Sequence, residues 1–152
     1  MTEVNVAIAG CGQWGVNHVR TFANAPGCRV SWLADTDPKR LAKARELARG
    51  AKTAPELEAA LKDESVQACV IATNSESHHA LARKALEAGK HVLVEKPLAL
   101  SAKEAGELVE IAGRKGLVLM VGHLLLYHPA VNYLKGLLDK GELGQILYLY
   151  SV

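Results

Sequence analysis

Long apolar runs are absent from this sequence: none reaches the about 18 residues that a membrane-spanning helix needs, so no membrane partner is expected. Charge of one sign is missing as well. Eighteen Lys and Arg stand against 16 Asp and Glu, a net charge of +2. The cations are scattered among acids along predicted helices, which leaves no basic field for nucleic acid. Cysteine is scarce. Cys11, Cys28 and Cys69 are odd in number and match no metal-ligand spacing, which excludes a disulfide framework and a metal site and predicts a reduced, cytoplasmic chain. The first residues lack a secretory pattern, and no low-complexity tract interrupts the chain. With 152 residues, 49% of them hydrophobic and 22% charged, the chain reads as a soluble protein with one full core.

The most informative stretch is V-N-V-A-I-A-G-C-G-Q-W-G, Val4 to Gly15. Its apolar half reads as a strand buried on both faces, as inside a parallel sheet. Gly10, Gly12 and Gly15 then fall at the G-x-G-x-x-G spacing, and Val16, Val19, Phe22 and Ala23 predict a helix with one face against the sheet. In such a strand-turn-helix, Gly10 permits the tight turn, Gly12 admits a pyrophosphate close to the backbone, and Gly15 allows close packing. The helix N-terminus offers free N–H groups to phosphate, those of Gln13 and Trp14 among them, while the Trp14 ring is read as packing. Cys11, inside the turn, is read as a small side chain that fits there. The next strand, Arg29 to Ala34, ends at Asp35, 20 residues beyond Gly15, where an acid on an adenosine ribose belongs.

The same cadence continues. Asp37 and Pro38 open a helix along Leu41, Ala44, Leu47 and Ala48, which Gly50 ends. A brief strand at Ala51 to Thr53 leads into a Thr53–Glu56 capping box and a short helix with Leu57, Ala60 and Leu61. Ala68 to Ala72 is a buried strand, Thr73 to Ser77 a polar turn, and Leu81, Ala85 and Ala88 mark a helix stopped by Gly89. Strand His91 to Val94 follows. A Ser101–Glu104 capping box opens the helix bearing Ala105, Leu108, Ile111 and Ala112, and after Gly116 comes strand Leu117 to Val121. Alternation of this kind predicts an α/β fold, a doubly wound parallel sheet with right-handed crossovers. Its strand C-termini collect Gly10 to Gly15, Asp35, Thr73 to His79, Glu95 to Pro97 and Gly122 to His123 along one edge, where ligands bind such sheets. The end of the chain reads differently, as a helix Pro129 to Lys140 with Val131, Leu134, Leu137 and Leu138 inward, then an apolar strand Gln145 to Val152.

Taken together, G-C-G-Q-W-G, Ala34-Asp35, T-N-S-E-S-H-H, A-G-K-H-V-L-V-E-K-P-L-A and G-E-L-G-Q-I resemble the Gfo/Idh/MocA oxidoreductases over essentially the whole chain. E-K-P after A-G-K-H-V is the most specific of these signals. The resemblance implies a Rossmann domain at 1–121 that binds NAD, or NADP, and a remainder, 122–152, made of the connecting helix and first strand of an otherwise missing substrate domain. It implies that Lys96 is the catalytic lysine, hydrogen-bonding the reacting hydroxyl and relaying its proton, with Glu95 and Pro97 shaping the nicotinamide end. A lysine at a strand's C-terminal edge beside a carboxylate suits that work. Thr73, Asn74 and His78 align with the family's T-P-N-x-x-H loop near the cofactor, with Asn74 in place of the usual proline; His78 is open to two readings, cofactor contact or a water-exposed residue at the helix start. His123 and Tyr127 follow the sixth strand, His123 being counted with the cofactor site, and many relatives carry an arginine where Leu125 or Leu126 stands. The wording G-H-L-L-L-Y-H-P-A looks most like members that oxidise nucleotide-activated sugars.

The expected function is therefore the NAD-binding half of a dehydrogenase acting on a sugar, nucleotide-sugar or polyol, with little turnover alone. Its rival is a binding module without turnover. A methyltransferase also begins with strand, glycine loop and helix, but leaves E-K-P unexplained. Asp35 predicts preference for NAD over NADP, tempered by Lys39 and Arg40, and the apolar terminal strand predicts a homodimer paired through its edge.

Overall fold

In the computed structural model, which describes residues 3–150, the opening apolar run forms β1 (Val4–Ala9) at the centre of a six-stranded sheet. Its side chains alternate between two cores, as a strand's period of two requires. Val6 and Ile8 pack with Val19 of α1 (Gln13–Asn24), Val30 and Leu33 of β2 (Cys28–Ala34) and Ala44 of α2 (Pro38–Leu47). Ala7 and Ala9 face the other core, with Leu57, Cys69 and Ile71 of β4 (Val66–Ile71), Leu86 of α4 (Ser75–Glu87) and Leu108 and Ile111 of α5 (Ala102–Lys115). Helices thus cover both faces of the sheet, and each fully buried Leu or Ile in them contributes roughly 1.5–3 kcal/mol. With β3 (Lys52–Ala54), β5 (His91–Val94) and β6 (Leu119–Val121), the strand order is β3-β2-β1-β4-β5-β6, all parallel. The order reverses beside β1. Open parallel sheets bind ligands at that point, outside the strand C-termini.

Local signals behave as their chemistry dictates, with one exception in this part of the chain. The Asp37 carboxylate accepts the Lys39 N–H and Pro38 opens α2; the Ser101 hydroxyl accepts the Glu104 N–H at the head of α5, which ends on left-handed Gly116. The Thr53–Glu56 capping box does not form. Thr53 lies within β3, paired with Leu33, so its backbone is committed to the sheet, and α3 (Glu58–Leu61) starts later with Leu57 before it.

These elements make up a compact unit ending at Gly122; residues from His123 onward form a second. The second unit holds a 3-10 turn, Leu124–Tyr127, and α6 (Pro129–Asp139), capped by the His128 ring, whose Nδ1 accepts the Ala130 N–H. Two expectations are corrected here. The α6 face of Val131, Leu134 and Leu138 is exposed, because no described residue of this unit is buried and nothing in the unit offers a counterface. The strand expected at Gln145–Val152 is irregular over residues 146–150: a strand exists only through hydrogen bonds to a partner, and among the described residues no strand pairs with it. Ser151 and Val152 lie outside the described residues.

Candidate functional site

At the C-terminal end of β1 the chain turns at Gly10, whose φ of +87° lies in the left-handed region and whose missing Cβ would sit 2.5 Å from the Ala72 carbonyl oxygen. A Cβ on Gly15 would overlap the Gly10 carbonyl oxygen, so this glycine is required by the turn folding back on itself. Gly12 is open: the nearest atom to a Cβ there is Nη1 of Arg40, 3.8 Å away. Gly12 caps α1 without any side-chain hydrogen bond, so the N–H groups of Gln13, Trp14 and Gly15 have no partner within the helix. An open glycine followed by free N–H groups at the head of a 12-residue helix is a phosphate cradle.

Asp35 sits where β2 ends, and its carboxylate ties the site together. Oδ2 accepts the Cys11 N–H at 2.7 Å and Oδ1 accepts the Asp37 N–H at 2.8 Å. The aspartate thus pins the glycine turn to the start of α2, a structural task that sequence spacing did not reveal. A carboxylate has about four acceptor directions, so both oxygens can still receive a ribose hydroxyl. Burial, and then the Asp35 charge, push the Cys11 thiol up to about 12, which leaves it a neutral packing group.

Across the switch point, the Thr73 hydroxyl pairs with the Ser77 hydroxyl at 2.7 Å, and Asn74 caps α4 in extended conformation, its Oδ1 accepting from Ser77. His78 is 1% exposed, which overturns the water-exposed reading. Its ring lies between two carbonyl oxygens, with Nδ1 2.6 Å from that of Pro97 and Nε2 3.2 Å from that of Thr73. β5 delivers Glu95, Lys96 and Pro97. Lys96 is exposed, whereas the Glu95 carboxylate is buried and turned to His18 of α1, 2.7 Å from Nε2. The other carboxylate oxygen, Oε2, accepts the Lys96 N–H at 3.3 Å. His18 escaped sequence reading; its one signal is a histidine three residues beyond Gly15 on the helix opened by the glycines.

One cavity of about 900 Å³ joins these parts. Gly10, Gly12, Gln13, Trp14, Asp35, Thr73, Asn74, His78, Glu95, Lys96 and Pro97 all line it. Gly15 lies behind the wall as a packing residue, and His123, exposed, opens the second unit and is not among the lining residues. Trp14 is half exposed, so its ring borders the cavity instead of filling a core. Arg40, Glu56, Leu57, Leu81 and Lys84 also line the cavity. Lys84 and Glu58 form an ion pair that joins α4 to α3 along this wall. Among the described residues, no group of His, Cys, Asp or Glu could hold a metal ion, and no helix is long and apolar enough to cross a membrane.

A doubly wound parallel sheet with a glycine cradle, a strand-end acid and a long cavity at the switch point defines a dinucleotide-binding α/β domain. Within that class, the chain belongs to the Gfo/Idh/MocA oxidoreductase family, whose NAD-binding Rossmann-fold model matches residues 4–123. It is 36% identical over 151 residues to inositol 2-dehydrogenase 2 of Saccharopolyspora erythraea, covering 98% of this chain and 44% of that protein. Among solved structures, GenD2 from gentamicin A biosynthesis, in complex with NAD, is similar with a TM-score of 0.88 and 31% identity, over 93% of this chain and 40% of that one. KijD10, a 3-ketoreductase from Actinomadura kijaniata in complex with NADP and TDP-benzene, is similar with a TM-score of 0.84 and 28% identity, over 92% and 43% of the two chains. The chain therefore spans under half the length of these relatives.

Proposed function

We propose that this chain is the NAD-binding half of an oxidoreductase that moves hydride between a nicotinamide cofactor and a hydroxyl of a sugar, nucleotide-sugar or polyol. The observation that carries the reading is that Lys96 shares one continuous cavity with the Gly12 cradle and Asp35. The residues fit such a cofactor: the free N–H groups after Gly12 receive the pyrophosphate, and Asp35 accepts ribose hydroxyls. The nicotinamide supplies the hydride chemistry. Lys96 does the rest from this chain: its Nζ would accept the alcohol proton in oxidation and give one to the carbonyl oxygen in reduction. Asp35 would meet a 2′-phosphate with like charge, which favours NAD, while Arg40, near Gly12, moderates that preference.

Residues 122–152 are assigned as the connection to a second, substrate-binding domain, on which turnover depends. The inositol dehydrogenase relative supports the polyol class, and the relative seen with TDP-benzene supports the nucleotide-sugar class. The free state of all three cysteines suits a cytoplasmic setting. Titration with NAD and NADP tests the cofactor reading directly. Tighter NADP binding by the unmodified chain would refute the preference. Lys96→Ala is expected to keep NAD affinity and to abolish hydride transfer in a longer chain that carries a second domain. If Lys96→Ala abolished NAD binding instead, the division of roles would be wrong; if turnover never appeared with any polyol or sugar, a binding module would remain.

A further inference from the structure

We propose that His18 and His78 are positioning residues for Lys96, gripping the residues on either side of it from two helices on opposite faces of the sheet. From α1, His18 Nε2–H donates to Glu95 Oε1 at 2.7 Å, with both side chains largely buried. The second Glu95 oxygen accepts the Lys96 N–H at 3.3 Å, so the carboxylate links the α1 histidine to the lysine's own main chain. From α4, the fully buried His78 ring meets the Pro97 carbonyl oxygen at 2.6 Å through Nδ1. Its other nitrogen faces the Thr73 carbonyl oxygen at 3.2 Å, so the same ring joins the E-K-P segment to the loop after β4. Both facing atoms are acceptors, so the ring donates, and the shorter contact marks Nδ1–H to Pro97 as the main bond.

Gly122 completes the arrangement. A Cβ there would stand 3.2 Å from the Glu95 carboxyl carbon and from both its oxygens, so the glycine leaves the space in which the acid reaches His18. Residues 95 and 97 are thus held by side chains separated from them by 77 and 19 positions in sequence. Residue 96 between them makes no ion pair among the described residues and points a free amine from a fixed main chain. Positioning by packed, hydrogen-bonded supports is what a reacting group needs, because an ångström of misplacement is costly. His18 does not line the cavity, so its influence on bound cofactor passes through Glu95.

The inference rests on the reading of Lys96 as the residue at the nicotinamide, and the test separates the two. NAD is added to the full chain carrying 13C-labelled lysine and proline. Cross-relaxation is then read between the nicotinamide protons and Lys96 and Pro97, with contacts from the adenosine end to residues around Asp35 as the internal reference. Expected are nicotinamide contacts in the parent, their loss in His18→Leu and in His78→Leu with adenosine contacts retained, and their return in His18→Gln and His78→Gln, which restore a donor. Nicotinamide contacts that persist in His18→Leu would overturn the proposal, and that variant, on the less buried histidine, decides alone if His78→Leu does not fold. A parent chain with adenosine contacts and no nicotinamide contacts to Lys96 or Pro97 would overturn the underlying reading instead.

Discussion

Removing the Asp35 carboxylate should loosen the glycine turn before it changes any preference between cofactors. Two backbone donors end on that carboxylate, from Cys11 at 2.7 Å and from Asp37 at 2.8 Å. Cys11 is buried, so in Asp35→Ala its N–H loses its acceptor, at a cost of about 1–3 kcal/mol. The Asp37 N–H is partly buried and regains some hydration, which adds about 1 kcal/mol. The sum, roughly 2–4 kcal/mol, corresponds to a fall in Tm of about 5–10 °C for a chain of this length. Asp35→Asn keeps one carbonyl oxygen for one of the two donors and should fall between the parent and the alanine variant. Calorimetry on the three proteins measures this, and cofactor titration alongside should show both affinities falling in Asp35→Ala, NAD further than NADP because a 2′-phosphate no longer meets a like charge. An alanine variant that melts within about 1 °C of the parent and binds NADP more tightly would refute the reasoning, leaving Asp35 as a charge filter alone.

Two glycines of the turn should separate by experiment. Gly12→Val meets only Arg40 Nη1 at 3.8 Å and should fold with a near-parental Tm while losing cofactor affinity, whereas Gly15→Val collides with the Gly10 carbonyl and should lose about 3 kcal/mol or more of stability. Equal Tm values for the two would contradict the geometry. Hydrogen bonds from the Ser65 hydroxyl, then from Trp32 Nε1 and Lys52, hold the Asp63 carboxyl well below its ordinary 3.8. A lowered folded-state pKa stabilises the fold above the unfolded value and fades as pH drops towards the folded one, so stability should decline below about pH 4 and Asp63→Asn should flatten that acid limb. An unchanged limb in urea titrations would assign acid sensitivity elsewhere. In the second unit, Leu147, Tyr148, Leu149 and Tyr150 are each at least 80% exposed. Covering each is worth roughly 1.5–3 kcal/mol, so light scattering should report self-association that disappears in a version ending at Gly144; two monomeric, equally soluble proteins would dismiss that surface.

Much of this was legible beforehand because it is local. β1 and the glycine turn are twelve consecutive residues whose apolar run and glycine spacing leave few alternatives, and Asp37-Pro38 and Ser101 cap their helices through neighbours two or three residues away. The cadence of strand and helix then fixed the sheet, because parallel strands joined by right-handed crossovers allow few arrangements. Where two local signals competed, the sheet prevailed: Thr53 could cap a helix or extend β3, and its pairing with Leu33 decided the matter.

What stayed hidden depends on partners that no local pattern encodes. Asp35 was placed by its distance from Gly15, yet its two hydrogen bonds to the backbone concern a loop 24 residues upstream and a turn just ahead. His78 could not be placed by exposure, since a histidine at a helix start reads the same whether it meets water or two carbonyl oxygens; the ring is buried because β5 brings Pro97 against it. The same logic governs the end of the chain in reverse. The continuous apolar run from Ile146 to Tyr150 reads as a strand with both faces to bury, but the pattern specifies only which side chains share a face. Backbone N–H and C=O groups must find another strand, and without one the segment stays irregular while its large side chains remain in water. Its exposed Leu and Tyr side chains are therefore a demand for a surface, and the truncation at Gly144 asks whether a second copy supplies it.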